Sequence, residues 1–510
     1  MKHLWGNGFV SEFHADFTDT ILWAEASCES GKLASPDFHY VYFIPFGGNL
    51  LMNAFIPFFG VGITAIRCAM TVAILIMCAV AIAFFKTLVH DRARAVTASA
   101  IIFCLLCSTV KLREVFFSHV IHYSLAVGFL MLTLTLCGSA GESNSPVRKL
   151  LFGAVLTWAA SCGPTMLLYV AMPILGSLVV WRILDATALQ STVRRDVSWL
   201  CAGIAGVLAG IMIHAWLSAG IPPTSYSDAY ERFCSPLSWQ PYIERLPRQW
   251  LTLFFDPPGE AMKIATIKGL RIAMRIICGI CIAILPALAC LKYKAFDNRA
   301  QILLITHWLL AAGILFYWQF GSISNSNWRL SPLIVTGAAV SICLMEALRK
   351  DRMVQLRRIA AMTTAAAVLY SAYLPLSMAL KRENTDIWFG EGTLIPTLEK
   401  LGVTYGYCCD FWFSNSTTVL TGGKIKLREV NPAKSTGWKR KQYQSADHWY
   451  IPRPGCDKTA LVCYKHQERL APRERLIARH TCRQRNLRLG STVDFVVLVY
   501  DGDFPQALDH

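Results

Sequence analysis

Two carboxylates, Asp16 and Asp19, lie close to the start of the chain. A carboxylate at the mouth of a membrane bundle is costly to desolvate and is therefore a candidate for chemistry. Such a group can accept a proton from a hydroxyl or an amine while that group attacks a carbon atom. Their three-residue spacing places both on one face of a helix. The structural alternative is helix capping, because Asp19 directly precedes a helical pattern and Asp is a favoured N-cap residue.

A second cluster of ionisable residues occupies the short loop 111–123 between two apolar stretches. Arg113 can hold a phosphate through two parallel hydrogen bonds. Glu114 and His119 are candidates for orienting a substrate or for acid–base work. His119 and His122 also have the spacing for a metal on one helix face, although two histidines alone are a weak metal signal. The alternative is that the charges of this loop pair with each other.

A third candidate is Arg329, which ends the loop 319–330 at the start of an apolar stretch. This arginine could neutralise a phosphate, or it could extend its charged head to the membrane interface, and the sequence favours neither role. Gly-rich phosphate loops, Ser-His-Asp arrangements and zinc spacings are absent from the sequence. The sequence therefore predicts no cofactor with certainty, and a divalent cation stays an open alternative.

The elements that must position these residues are membrane spans. The chain has 510 residues, of which 54% are hydrophobic and 16% charged, a composition typical of multi-spanning membrane proteins. Apolar runs of about 17–25 residues indicate spans. They predict ten, centred near residues 75, 103, 128, 156, 174, 208, 280, 309, 339 and 368. The two runs beside Gly163-Pro164 are short enough to form one broken helix instead.

The distribution of charge predicts the orientation of these spans. The net charge of +16 is concentrated in short loops that alternate with less basic ones, which is the positive-inside pattern and not a nucleic-acid signal. The candidate loops and everything after Leu380 are therefore predicted to face outward, and the protein to be a multi-pass protein of the cell membrane. Because residues 1–64 also face outward, we expect either a further helix upstream of Met1 or an N-terminus translocated by the first span.

Three parts are predicted: an outward first loop (1–64), a transmembrane bundle (65–380) and a small extracytoplasmic α/β domain (381–510). In the first loop, residues 21–30 predict a helix capped by Gly31, and residues 50–59 predict an interfacial helix. The outward loop 219–267 is rich in proline and aromatic residues. Such a composition suits short helices along the outer leaflet or a lipid-facing groove.

The tail is predicted to form a small α/β layer. Residues 395–401 predict a helix, and the basic stretch 469–488 is interpreted as a solvated helix in preference to a lipid-phosphate site. Strands are predicted at 403–407, 419–427, 460–464 and 493–500. Among the cysteines outside the spans, Cys456 and Cys463 form the pair with the most plausible disulfide loop.

Three short stretches, together with the layout of the chain, resemble a known family. These are residues 16–24, the pair Arg113-Glu114, and residues 402–407 with Asp410-Phe411-Trp412. They resemble the C-type glycosyltransferases, multi-spanning enzymes that use polyprenyl-phosphate-linked sugars. Examples are the protein O-mannosyltransferases and the aminoarabinose transferases of lipid A, and the likeness is closest to uncharacterised bacterial members. The resemblance implies that Asp16 is the catalytic base, with Asp19 as the alternative, and that the tail helps to hold the acceptor.

The sequence therefore predicts a membrane glycosyltransferase. It would move a sugar, with inversion, from a polyprenyl-phosphate donor to an outward-facing glycan, lipid or protein acceptor, and Arg113 and Arg329 would bind the donor phosphate. Its partners would be these substrates and membrane lipids, not nucleic acid. A lipid-linked sugar transporter or flippase is an alternative, but it would carry ionisable residues within its spans, and these spans are nearly free of charge. A non-catalytic membrane scaffold is a further alternative, which leaves the charged loops unexplained.

Overall fold

The described part of the chain covers most of the sequence. The computed structural model describes residues 2–5, 8–89, 91–118, 120–137, 145–184, 190–224, 232–257, 263–321, 326–349, 385–433, 437–451, 457–485, 491–504 and 508. His119, Cys456 and the predicted span near residue 368 lie outside these residues.

The protein is mainly helical. Helices of the N-terminal segment are α1 (Lys2–Trp5), α2 (Phe9–Glu12), α3 (Asp19–Ser30) and α4 (Gly48–Phe59). The bundle contains α5 (Ile63–Val89), α6 (Arg92–Leu106), α7 (Val110–Phe117), α8 (His122–Cys137), α9 (Pro146–Ser161), α10 (Pro164–Met166), α11 (Met172–Leu184), α12 (Gln190–Ser218), α13 (Trp239–Leu251), α14 (Ile267–Cys290), α15 (Asn298–Phe320) and α16 (Ser331–Arg349).

Among the described residues, six helical segments are long and apolar enough to cross a membrane, and the number is seven if α6 and α7 form one span bent by 117°. The six are Ile63–Val89, Pro164–Leu184, Asp196–Ser218, Ile267–Cys290, Asn298–Phe320 and Asn327–Leu348. The sequence predicts ten. Helices α8 and α9 have 16 residues each, which gives a length of about 24 Å at the rise of an α-helix and falls short of a typical hydrocarbon core.

The break at Gly163-Pro164 separates α9 from the next span. Gly163 has a φ of 101°, a backbone conformation that glycine adopts readily and other residues do not. One π-helical turn, Leu167–Ala171, then joins α10 to α11. The two short runs are therefore separate helices that meet at Gly163.

The N-terminal segment follows its sequence prediction closely. Helix α3 ends where Gly31 adopts the left-handed conformation, with a φ of 65°, as expected of a glycine C-cap. Helix α4 forms over the predicted interfacial stretch, and its last residues expose large aromatic side chains, Phe58 to 79% and Phe59 to 47%.

The tail contains a six-stranded sheet with strand order β3-β2-β1-β4-β6-β5. Its elements are α17 (Asp386–Phe389), α18 (Leu394–Lys400), β1 (Tyr405–Cys408), α19 (Phe411–Leu420), β2 (Lys426–Ala433), β3 (Gly437–Arg440), β4 (Lys458–Tyr464), β5 (Leu476–Arg485) and β6 (Thr492–Asp501). Strand β1 is parallel to β2 and β4, and the remaining pairs are antiparallel.

Two predictions for the tail are wrong. The stretch 419–427 is not one strand, because Val419 belongs to α19 and the strand begins at Lys426. The basic stretch 469–488 is not a solvated helix, because it contains the edge strand β5. In that strand Cys482 and Gln484 are buried while the arginines between and beside them face solvent, an alternation that only a strand provides.

The tail packs on α3 through a buried ion pair. Glu25 is 2% exposed, and its Oε1 lies 2.6 Å from Lys426 Nζ and 3.3 Å from the Arg428 guanidinium. Arg428 is equally buried and stacks on Trp449, with its guanidinium carbon 3.6 Å from the ring centroid. Because these charges are withdrawn from water, the loss of one partner alone would leave an uncompensated buried charge.

A histidine extends this contact. The ring of His448 lies between two carboxylates, with Nδ1 against Asp37 and Nε2 2.9 Å from Glu29. Trp449 Nε1 also donates to Glu29, at 2.6 Å. Both ring nitrogens can donate to carboxylates only in the protonated imidazole, so this contact favours the charged form of His448.

Candidate functional site

Two of the predicted site residues come together through a third residue that the sequence analysis did not single out. Asp16 lies in the 3₁₀ turn Ala15–Thr18, and the His14 Nδ1 accepts a hydrogen bond from the Asp16 backbone N–H at 3.3 Å. On its other side, His14 Nε2 lies 3.3 Å from Glu114 Oε2. One atom of each side chain that could ligate a metal, a ring nitrogen or a carboxylate oxygen, lies within 4.8 Å of the other two. We call His14, Asp16 and Glu114 the carboxylate cluster.

Lys111 supplies a positive charge to this cluster. Its ammonium lies 2.7 and 2.5 Å from the two oxygens of Glu114, so the predicted alternative of charge pairing within the loop is confirmed for this pair. Imidazole nitrogen and carboxylate oxygens are suitable ligands for several divalent cations. The carboxylate cluster could therefore hold such an ion, which would compete with Lys111 for Glu114.

Asp19 has a different environment from Asp16. It is 5% exposed, and Oδ2 accepts a hydrogen bond from the Tyr42 hydroxyl at 2.9 Å. Burial raises the pKa of Asp19 well above its ordinary value, the negative charges of Asp16 and Glu114 raise it further, and Tyr42 acts in the opposite direction. The side chain of Asp16 is 35% exposed. Of the two carboxylates, Asp16 is therefore the more accessible to solvent.

Arg113 does not join the carboxylate cluster. Its guanidinium donates to both oxygens of Glu12, at 2.9 and 2.6 Å, and to the Cys107 carbonyl at 3.0 Å. The side chain is 8% exposed. Successive residues of a helix point in different directions, so Arg113 and Glu114 face opposite environments despite their adjacency in sequence. The contacts of Arg113 are those of a structural ion pair and not of an open phosphate site.

Arg329 lines a cavity of about 610 Å³ inside the bundle. The polar and aromatic residues of its wall include Tyr42, His122, Thr165, Tyr169, His214, Tyr317 and Trp318. His119 lies outside the described residues, whereas its neighbour in the predicted pair, His122, belongs to this wall. The volume is within the range of small-molecule sites.

Two contacts connect this cavity to the carboxylates. The Tyr42 ring lies 4.4 Å from the His122 ring in the cavity wall, while its hydroxyl reaches Asp19. Lys111 Nζ lies 4.3 Å from the ring centroid of Trp328, the residue before Arg329. Asp16 itself is not part of the cavity wall. Tyr42 therefore belongs to the cavity wall and also contacts Asp19, while Lys111 contacts both Glu114 of the carboxylate cluster and Trp328.

The tail covers one side of the carboxylate cluster. The Trp412 ring lies 5.6 Å from the His14 ring, and Gln444 lies close enough to lower the pKa of Asp19. Comparison with models of known protein families and with curated proteins finds no match. The assignment of a function therefore depends on the arrangement of these side chains.

Proposed function

We propose that this protein is a membrane glycosyltransferase that moves a sugar from a polyprenyl-phosphate donor to an acceptor on the extracytoplasmic side. The observations that carry the proposal are a partly exposed carboxylate, Asp16, and a bundle cavity lined by Arg329, which Tyr42 connects to Asp19, three residues after Asp16. Transfer from a phosphate leaving group requires a base and a phosphate-binding cation that act on the same substrate.

In the proposed reaction Asp16 accepts the proton of an acceptor hydroxyl. The acceptor oxygen forms a bond to the anomeric carbon while the bond from that carbon to the phosphate oxygen breaks, so the configuration inverts. The released electron pair stays on the polyprenyl phosphate, where Arg329 offsets the negative charge. His14 fixes the backbone of Asp16 through the hydrogen bond at Nδ1.

The layout of the chain supports this proposal. The cavity adjoins apolar helices long enough to span a membrane, which gives a lipid-linked donor access from the bilayer. The tail sits beside the carboxylate cluster through Trp412, where it can hold a water-borne acceptor. A transporter is less well supported, because His14, Asp16 and Glu114 of the carboxylate cluster lie outside the six apolar helical segments.

The test is transfer from a panel of polyprenyl-phosphate-linked hexoses and pentoses, with the full chain reconstituted in lipid vesicles. Asp16→Asn keeps the size of the side chain and removes its basicity, and it is expected to lower the rate by about 10²–10⁴-fold, the usual effect of a general base. Arg329→Gln is expected to raise the KM for the donor. Transfer by Asp16→Asn at the wild-type rate would exclude Asp16 as the base and with it this mechanism.

A control variant separates the two carboxylates. Asp19→Asn keeps a buried hydrogen-bonding group at the Tyr42 hydroxyl, and its effect on transfer is expected to be smaller than that of Asp16→Asn. An equal or larger loss in Asp19→Asn would instead make Asp19 the reactive carboxylate, reached from the cavity through Tyr42.

A further inference from the structure

Helix α13 has an apolar face that the described residues cover only in part. None of its residues is buried. By helical spacing its large apolar residues share one face: Trp239, Tyr242, Ile243, Leu246 and Trp250. Ile243 is 58% exposed, and Leu237, which immediately precedes the helix, is 89% exposed. A free helix in water would not present such side chains together.

The surroundings of this face are basic. On α13 itself, Arg245 and Arg248 lie away from the apolar face. The described parts of residues 239–275 contain six Lys and Arg against two Asp and Glu. Three of the basic residues, Lys268, Arg271 and Arg275, recur at helical spacing along the first turns of α14. A basic amphipathic helix is typical of a membrane surface.

Contacts fix α13 to two spans, midway along α14 and at the C-terminal end of α15. Near its C-terminus, Trp250 Nε1 donates to the Gly279 carbonyl of α14 at 2.9 Å. At its N-terminus, Gln319 Nε2 of α15 donates to the Trp239 carbonyl at 2.6 Å, and the Trp239 ring lies 5.0 Å from the ring of Phe320. Both ends of α13 are therefore bonded to the bundle, and rotation of the helix about its axis would break the Trp250 hydrogen bond.

The apolar face continues the lipid-facing surfaces of those spans. On α14, Ile277 and Ile280 are 55% and 43% exposed, and on α15 Phe316 is 50% exposed. A second copy of the chain is a poor occupant, because it would bring the same basic surface against this one. Lipid with anionic headgroups fits both the apolar face and the charge.

We propose that α13 is a lipid-binding helix in the membrane–water interface, with Leu237 and Ile243 in the acyl region and Arg245 and Arg248 on the phosphates of anionic phospholipids. Gln319, which donates a hydrogen bond to α13, directly follows Tyr317 and Trp318, two residues of the wall of the Arg329 cavity. The proposal does not rest on glycosyl transfer, since it concerns contact with lipid alone.

The test uses the full chain in nanodiscs that contain one copy each, with a fluorescent non-natural amino acid at position 243 or, as the matched control, at position 248. These positions are about 140° apart around the helix. Fluorescence at 243 is expected to be quenched several-fold more by nitroxide-labelled lipid than by iodide, and fluorescence at 248 to show the reverse. Equal access of iodide to both positions would overturn the proposal, and so would shielding of 243 from both quenchers, which indicates a protein partner.

A second measurement tests the headgroup. Nanodiscs of phosphatidylcholine with phosphatidylglycerol are compared for the wild type and for Arg245→Gln/Arg248→Gln, and the lipid retained by the protein is counted by native mass spectrometry. The double variant is expected to lose its preference for phosphatidylglycerol. The control, Arg473→Gln/Arg483→Gln, removes two exposed charges of the tail and is expected to keep the preference. Equal retention in the two variants would overturn the assignment of headgroup binding to α13.

Discussion

The contact between Glu25 and Arg428 allows a quantitative prediction about tail docking. Glu25→Gln removes one charge of this buried ion pair and leaves the Arg428 cation in place. Arg428 remains 2% exposed and keeps its stacking on Trp449, but it loses the carboxylate oxygen 3.3 Å away. The substitution therefore creates a buried cation without its closest counter-charge.

The cost of such a change follows from the burial. Breaking a buried ion pair by removing one partner destabilises by about 3–5 kcal/mol, and we expect the lower end, about 3 kcal/mol, because Trp449 still faces the cation. This corresponds to roughly a hundredfold increase in the opening equilibrium of the tail. Arg428→Met is expected to cost less, because Glu25 keeps Lys426 at 2.6 Å. The double variant removes both charges and is expected to recover part of the loss.

The assay is hydrogen exchange of backbone amides in the full chain in nanodiscs, followed on β2 and on α3. Faster exchange confined to these elements in Glu25→Gln would report opening of the tail contact. Exchange elsewhere in the bundle, for example in α15, serves as the internal control and is expected to stay unchanged. The reasoning would be refuted if Arg428→Met opened the contact more than Glu25→Gln, or if the double variant were the worst of the three.

Three further predictions concern single side chains. Burial alone would lower the pKa of His448, but the hydrogen bonds and charges of its two carboxylates raise this pKa above the ordinary value. Docking of the tail, measured by amide exchange, is therefore expected to be strongest below the ordinary histidine pKa and to weaken as the pH rises through the raised pKa. The variant His448→Gln is expected to show a flatter pH profile. Tyr42→Phe leaves a buried oxygen of Asp19 without its hydrogen-bond donor and is expected to destabilise the folded protein by about 1–3 kcal/mol. The measurement is the midpoint of thermal unfolding, which is expected to fall. An unchanged midpoint would mean that water replaces the hydroxyl. Gly163→Ala places a side chain at a φ of 101° and is expected to cost about 1–3 kcal/mol in the same assay; a stable variant would show that this turn relaxes.

Much of the local structure could be predicted from the sequence. The helix before Gly31 and the strands over residues 460–464 and 493–500 carry periodicities and caps that act within a few residues, and the structure confirms them. The strand β5 was not predicted, because the many basic residues of 469–488 are also typical of a solvated helix. Only the burial of Cys482 and Gln484 reveals its two-residue period.

The candidate site could be predicted only in part. The sequence indicates the chemistry of Asp16 and Glu114, and the structure brings them together. The link between them is His14, whose position two residues before Asp16 was the available signal. The sequence groups Arg113 with Glu114, whereas in the structure Arg113 pairs with Glu12, because a helix turns neighbouring side chains apart. Contacts between residues that are hundreds of positions apart, such as that of Gln444 with Asp19, cannot be predicted from local sequence patterns.

The ion pair between Glu25 and Arg428 also sets an order of events during synthesis. The two residues are 403 positions apart, so at about 5–20 residues per second the ribosome needs roughly 20–80 s to supply the second after the first. During this interval α3 carries a carboxylate that has no basic partner from the tail. The N-terminal segment therefore lacks its contact with the tail until the tail has been synthesised. Slow translation or premature termination would leave exposed the surface that the tail covers.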